Sequence, residues 1–168
     1  MADNNQIKNN DMQKITPFLW FDGKAEEAVK FYSSIFKNSK ITDIKYWGEG
    51  TPFPKDQVMT AIVELDGIQF YAFDAGPQFK FTEAISFYVD CEDQKEVDHF
   101  WEKLTSGGGQ ESMCGWLKDK FGVSWQIVPK ALPKLMTDKD AKKAKRVMEA
   151  MMKMKKIIVA DLEKAYEG

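Results

Sequence analysis

In Ser124-Trp125-Gln126-Ile127-Val128 two kinds of side chain alternate. On an extended strand Trp125 and Ile127 point one way, and Ser124, Gln126 and Val128 point the other. One side suits a hydrophobic core, while the other offers a hydroxyl and an amide. An earlier run has the same parity, with Gln69, Tyr71 and Phe73 on one side and Phe70 and Ala72 on the other. Parity likewise groups Thr16, Phe18 and Trp20, and it groups Ala84, Ser86 and Tyr88. Together these four sets form a wall of rings, hydroxyls and amides, with Cys114 and Trp116 near its mouth. Such a lining suits a planar or apolar small ligand. The same rings would also serve as a second, filled core.

Groups for acid–base or metal chemistry are scarce on that wall. The single histidine, His99, falls in a helical stretch away from it. A reactive thiolate needs a cationic or histidine neighbour, which neither Cys91 nor Cys114 has nearby in sequence, so both read as structural. Glu64 and Asp74 sit at hairpin ends, where a solvated carboxylate is the expectation. Two function classes follow. One is a small-molecule-binding protein. The other is an enzyme that uses Gln126, Tyr71, Ser86 or a loop carboxylate on a small organic substrate. A purely structural interaction domain is a third.

The elements that must position these residues can be read from periodicity. Ile15–Phe21 is a strand with Pro17 at its start or on an edge. Asp22 then caps a helix that buries Ala25, Ala28, Val29, Tyr32, Ile35 and Phe36 at helical spacing. Lys40–Trp47 is a second strand, followed by a Gly/Pro-rich loop over Gly48–Gln57. Val58–Leu65 and Ile68–Phe73 flank Asp66-Gly67, the pair that a tight type I′ hairpin requires. The pattern then restarts. Glu83–Val89 is a strand, Asp90 a cap, and Glu92–Leu104 a helix burying Val97, Phe100, Trp101 and Leu104. Gly107-Gly108-Gly109 ends that helix. Gln110–Cys114, Trp116-Leu117 and Ser124–Val128 are further strands, the last two joined through Lys118–Lys120 and Gly122. A shift of 68 residues lays Asp22 on Asp90 and Leu19 on Phe87, and a shift of 55 lays Gly67 on Gly122 and Phe70 on Trp125. The chain therefore carries two βαβββ modules, and the expected fold class is α+β. With one helix to about four strands, each sheet keeps one uncovered face, and two such faces curling together would enclose a cavity.

The expected organisation is a flexible tail over 1–13, a first module over 14–76, a second over 83–129 and a helical extension over 130–168, in one compact domain. The extension has ten Lys/Arg against three acids between Lys130 and Lys156. Its Ala144, Val147, Met148, Met151 stripe suits packing on the domain or on a second subunit, with the lysines in water. A homodimer is the expected assembly.

A net charge of -2 in 168 residues argues against a nucleic-acid partner, which usually needs a basic face. No apolar run approaches the ~18–20 residues that span a bilayer, so no membrane partner is expected. Met1–Asn10 has no apolar signal core, and two cysteines are too few for a disulfide scaffold. These features point to a cytoplasmic protein.

Phe18-Leu19-Trp20-Phe21-Asp22-Gly23-Lys24-Ala25-Glu26-Glu27-Ala28 with Phe31-Tyr32, and the closing stretch Trp116–Pro129, resemble the vicinal oxygen chelate superfamily of glyoxalases and bleomycin-resistance proteins. Within it they are similar to the PhnB-like branch, labelled 3-demethylubiquinone-9 3-methyltransferase-like. The resemblance implies paired βαβββ modules and an inward-facing site. Its metalloenzymes hold an ion with one ligand from the first and one from the last strand of each module. That pattern falls here on Ala84 and Gln126 and, through the internal repeat, on Thr16 and Tyr71. None of the four is His, Asp or Glu, so no metal is expected. A methyl donor is normally held by a Gly-rich loop after a strand, whereas Gly107–Gly109 follows a helix. No cofactor is expected.

Overall fold

The computed structural model describes residues 13–168. The tail expected over 1–13 lies outside them, apart from Gln13. The chain divides into two compact units, the first ending at Ala75 and the second running from Gly76 to Gly168.

The first unit comprises strand β1 (Phe18–Phe21), helix α1 (Ala25–Ile35), and strands β2 (Ser39–Tyr46), β3 (Val58–Leu65) and β4 (Ile68–Asp74). The sheet order is β1-β4-β3-β2, with β1 parallel to β4 and the other neighbours antiparallel. Asp66 and Gly67 take φ of 51° and 84°. That is the turn expected between Leu65 and Ile68, which pair directly. Helix α1 buries Ala25, Ala28, Val29, Tyr32 and Ile35 against one side of the sheet. Leu19, Phe21, Phe70 and Ala72 answer from the sheet, each at most 9% exposed. The strand expected from Ile15 starts later, at Phe18. Pro17 has no N–H to give to the ladder, and its carbonyl instead accepts from Tyr71 N.

The second unit repeats this order with strand β5 (Phe87–Cys91), helix α2 (Gln94–Thr105), and strands β6 (Gln110–Glu111), β7 (Trp116–Lys118) and β8 (Ser124–Pro129). Its sheet order, β5-β8-β7-β6, is that of the first unit. Helix α2 buries Val97, Trp101 and Leu104 against Leu117, Trp125 and Ile127, while Phe100 is only half-buried, against His99. Three expectations are corrected. β5 starts at Phe87 rather than Glu83, because Glu83–Ile85 form a turn closed by the Thr82 hydroxyl. The α2 cap is Asp93, which accepts from Glu96 N, not Asp90. β6 stops at Glu111, because Cys114 and Gly115 turn away with φ of 59° and 82°.

Beyond β8 come α3 (Ala131–Met136), α4 (Ala141–Met151) and α5 (Val159–Glu167). The side chain of Asp140 caps α4. Leu132, Val147, Ile157 and Leu162 form a core with Val128 of β8, and Met151 and Met154 pack against it. The extension thus folds onto its own unit, while Met148 stays 40% exposed. No helix among the described residues is long and apolar enough to cross a membrane.

Candidate functional site

Each sheet has one side covered by its helix, so the opposite side is where polar and aromatic groups remain exposed. On the first unit, register places Phe18 beside Tyr71 and Trp20 beside Phe73, all on the side away from α1. Phe18 stacks on Tyr71 with centroids 5.9 Å apart and lies 5.5 Å from Phe73, whose ring takes Trp20 edge-on at 5.0 Å. Two residues that the sequence pattern did not single out extend this surface. Trp47, just after β2, stacks on Phe53 of the following loop at 4.6 Å and lies 6.1 Å from Phe73. Its Nε1 donates to Asp74 O at 3.1 Å, fixing the indole. Gln69 lies further along the same face, where its backbone N donates to Gln13 Oε1 and its carbonyl accepts from Gln13 Nε2.

Asp74, expected to be solvated or in the pocket, is 2% exposed and faces the helix instead. Its two carboxylate oxygens accept from Lys24 N at 2.9 Å and Ala25 N at 3.0 Å, capping α1 from the end of β4. It does the work expected of Asp22. Burial pushes its carboxyl above the usual carboxylate range, against the pull of those backbone bonds. Glu64, the other hairpin-end acid, pairs with Lys40 across β2 and β3 at 3.1 Å.

On the second unit, Tyr88, Gln126 and Trp116 form one row across β5, β8 and β7. Gln126 Nε2 donates to Ser86 Oγ at 2.8 Å. Burial, then the nearby Asp90, raises the Tyr88 phenol above its ordinary value. The next row carries Gln110, Lys118 and Ser124 across β6, β7 and β8. Ser124 is 2% exposed, and its hydroxyl has no hydrogen-bond partner. These rows border a hollow of about 150 Å³ lined by Glu83, Gln110, Glu111, Ser112, Trp116, Leu117, Lys118 and Ser124. Lys118 Nζ pairs with the Glu83 carboxylate at its rim. Glu111 Oε1 accepts from Trp101 Nε1 at 2.9 Å, and Lys155 stands 3.7 Å from its other oxygen. Alternation from Trp116 would have brought Lys118 to this face, but its charge and its place in the turn hid it.

Beneath the hairpin, Asp119 is 3% exposed. It accepts from Phe121 N, Val123 N and Trp125 Nε1 at 2.9–3.1 Å, which fixes the turn between β7 and β8. Cys91 faces α2, fully buried, and burial pushes its thiol up to about 12, so it is inert at neutral pH.

The structure therefore gathers Phe18, Trp20, Gln69, Tyr71 and Phe73 on one face, and Ser86, Tyr88, Trp116, Ser124 and Gln126 on another. It leaves three candidates elsewhere. Thr16 precedes β1, and Ala84 is exposed in the turn before β5. Cys114 gives its backbone N–H to Met154 O at 2.7 Å in the loop that meets the extension.

The ion-holding positions implied by the resemblance do not fit an ion. Ala84 has no donor atom, and Gln126 offers only a neutral amide oxygen. Among the described residues no three His, Cys, Asp or Glu side chains gather where they could hold a metal. The glycine cluster lies between α2 and β6, and a Cβ on Gly109 would stand 2.6–2.8 Å from backbone of Thr105, Leu104 and Lys118. There glycine lets helix and strand approach closely.

A family model described as 3-demethylubiquinone-9 3-methyltransferase matches residues 13–128. Among solved structures, the chain is similar to a putative 3-demethylubiquinone-9 3-methyltransferase, PhnB protein, from Bacillus cereus. The two are 41% identical over 70% of this chain and 99% of that one, with a TM-score of 0.65. A protein from Pseudomonas aeruginosa shares the fold at 22% identity, 70% and 97% coverage, and a TM-score of 0.59. So does a variant of the fosfomycin resistance protein FosX from Listeria monocytogenes, solved with Mn(II) and a dihydroxypropylphosphonic acid. Its identity is 13%, its coverage 66% and 86%, and its TM-score 0.50. No curated protein matches. With more than half its length matched by the family model, the chain belongs to the PhnB-like 3-demethylubiquinone-9 3-methyltransferase family.

Proposed function

We propose that the protein binds a small organic molecule on the sheet faces that its helices leave uncovered, and that it does so without a metal ion. The observation that carries this reading is the contiguous set of rings on the first unit, from Phe18 and Tyr71 through Phe73 to Trp47 and Phe53. Phe18 is exposed and the other rings half-buried, and rings held so at stacking distances favour flat or apolar partners. Metal independence is supported by donor chemistry, because Thr16, Tyr71, Ala84 and Gln126 offer an ion neither imidazole nor carboxylate.

The alternative, a metal-free enzyme, draws less support. Of the displaced titratable groups, Tyr88 is shifted upward and Glu83, bonded by Lys118, downward, both away from proton transfer at neutral pH. The methyltransferase activity in the family's name gains nothing from the glycine cluster, which follows a helix. A cytoplasmic homodimer belongs to the same reading. Sedimentation of the purified chain tests the dimer.

A thermal-shift screen of small aromatic and heterocyclic compounds, run with and without EDTA, tests binding. At least one compound should raise Tm equally in both conditions and quench tryptophan fluorescence. Stabilisation that appears only with a divalent ion overturns metal independence. A screen in which no compound raises Tm overturns binding.

A further inference from the structure

The hollow on the second unit has a more specific chemistry than the aromatic face. Gln110, Lys118 and Ser124 pair in register across β6, β7 and β8, so their side chains share one side of the sheet. That row sets a lysine between a glutamine and a serine. Two residues from Lys118 on the same strand, Trp116 adds an apolar wall. The nearby acid Glu111 is already engaged by Trp101 and Lys155.

Lys118 holds a carboxylate from within the chain. Its side chain is 33% exposed, while that of its partner Glu83 is 61% exposed and comes from a turn, not a strand. Ion pairs that open to water stabilise little, so an outside carboxylate displaces Glu83 at small cost. The released Glu83 returns to solvent, and no charge is left buried. The Ser124 hydroxyl, buried and without a partner on the same row, gains an acceptor once the wall gives enough for a second oxygen to reach it. The hollow of about 150 Å³ has room for several water-sized groups, since one water needs about 10–15 Å³.

We infer that this hollow is a site for a small free organic acid, whose carboxylate takes the Lys118 ammonium in place of Glu83. The inference rests on the reading of the helix-free sheet faces as ligand-binding surfaces, and it names the ligand class for one of them.

The test is a titration of the 15N-labelled full chain with sodium butyrate at constant ionic strength, followed by amide shifts. Butanamide, butylamine and inorganic phosphate are run in parallel. Butyrate should give saturable shifts at Gln110, Lys118 and Ser124, with butanamide and butylamine at least ten-fold weaker. Because Glu83 competes for the ammonium, Glu83→Gln should tighten butyrate by about two- to five-fold. Lys118→Met should abolish saturation, and Lys118→Arg should retain it within a few-fold. Butanamide or phosphate binding as well as butyrate, weaker binding in Glu83→Gln, or no saturable shift in that variant each overturns the assignment. Thermal-shift hits whose amide shifts fall on the aromatic face, with butyrate silent, sink the organic-acid site alone. The broader binding reading falls with the thermal-shift screen, if no compound raises Tm.

Discussion

Two buried carboxylates show how this chain uses charge for architecture. Asp74 and Asp119 are both nearly inaccessible, and both spend their oxygens on N–H donors. Removing Asp119 leaves Val123 N and Trp125 Nε1 without an acceptor inside the fold. Asp119→Ala should therefore destabilise by about 3 kcal/mol in urea unfolding followed by tryptophan fluorescence. Asp74→Asn keeps one acceptor of the α1 cap and should cost about 1 kcal/mol at neutral pH. It also carries a pH signature. Burial raises the folded pKa of Asp74, so its favourable contribution is fully present below the unfolded value near 3.9 and is lost as pH rises through the folded value. The stability advantage of the unsubstituted protein over Asp74→Asn should thus be larger at pH 4 than at pH 7. A gap that widens with pH would refute the burial argument. Neither carboxylate was legible in the sequence as a structural group. The cap that Asp74 supplies is 50 residues away in the chain, and Asp119 sits among lysines in what reads as a solvated turn. The alternation of Ser124 and Gln126 with Trp125 and Ile127 was legible because a strand's period of two is a local property.

At the scale of elements, the two units solve the same problem with different parts. Helix α1 takes its cap from a strand end, whereas α2 takes its own Asp93. The parallel pairs also differ in register. Leu19 pairs with Ala72, but their repeat equivalents do not pair, because Phe87 meets Trp125 and Val89 meets Ile127. The slip is two residues, so every side chain keeps its face, and the parity argument holds through a register that sequence comparison alone would misplace. The expected starts of β1 and β5 failed for the same reason. Alternation continues through Thr16 and Ala84, but pairing depends on backbone partners, which parity does not report. At its α5 end, the segment between α4 and α5 is held from both sides by one amide, since Gln94 Nε2 donates to Ile157 O and Gln94 Oε1 accepts from Val159 N. Gln94→Ala should cost about 1–2 kcal/mol and speed amide exchange at Val159, while leaving α1 unchanged. Gly115 is a stricter constraint. At φ +82° its added Cβ would lie 2.8 Å from Ile127 O, so Gly115→Ala should destabilise by at least about 2 kcal/mol. If exchange at Val159 were unaffected by Gln94→Ala, the start of α5 would be held by the Met154, Lys155 and Lys156 contacts alone.

At the scale of the whole molecule, the family model ends at residue 128, yet the second unit does not. Its core continues through Val128 into Leu132, Val147, Ile157 and Leu162. Backbone bonds from Cys114 N to Met154 O and from Gly115 N to Lys155 O, both 2.7 Å, tie the extension to the loop ahead of β7. The ion pair of Lys156 with Asp98, at 2.6 Å, ties it to α2. From sequence, the Ala144, Val147, Met148, Met151 stripe suited packing on the domain or on a second subunit, and composition alone does not choose between them. Val147 and Met151 of the stripe pack toward Val128 at the end of β8, while Met148 stays exposed. A chain ending at Pro129 therefore exposes Val128 and loses four buried aliphatic side chains, each worth about 1.5–3 kcal/mol before the entropy of ordering is subtracted. Such a chain should unfold at clearly lower urea concentration in the second unit, reported by amide exchange at Leu117 and Ile127, while exchange at Val63 and Ala72 changes little. Equal protection of Leu117 and Ile127 in the shortened chain would mean that the second unit is complete without its helices. The shared wall also matters for ligand binding, since Lys155 of the extension reaches Glu111 at the hollow, and shortening the chain should weaken butyrate as well as stability.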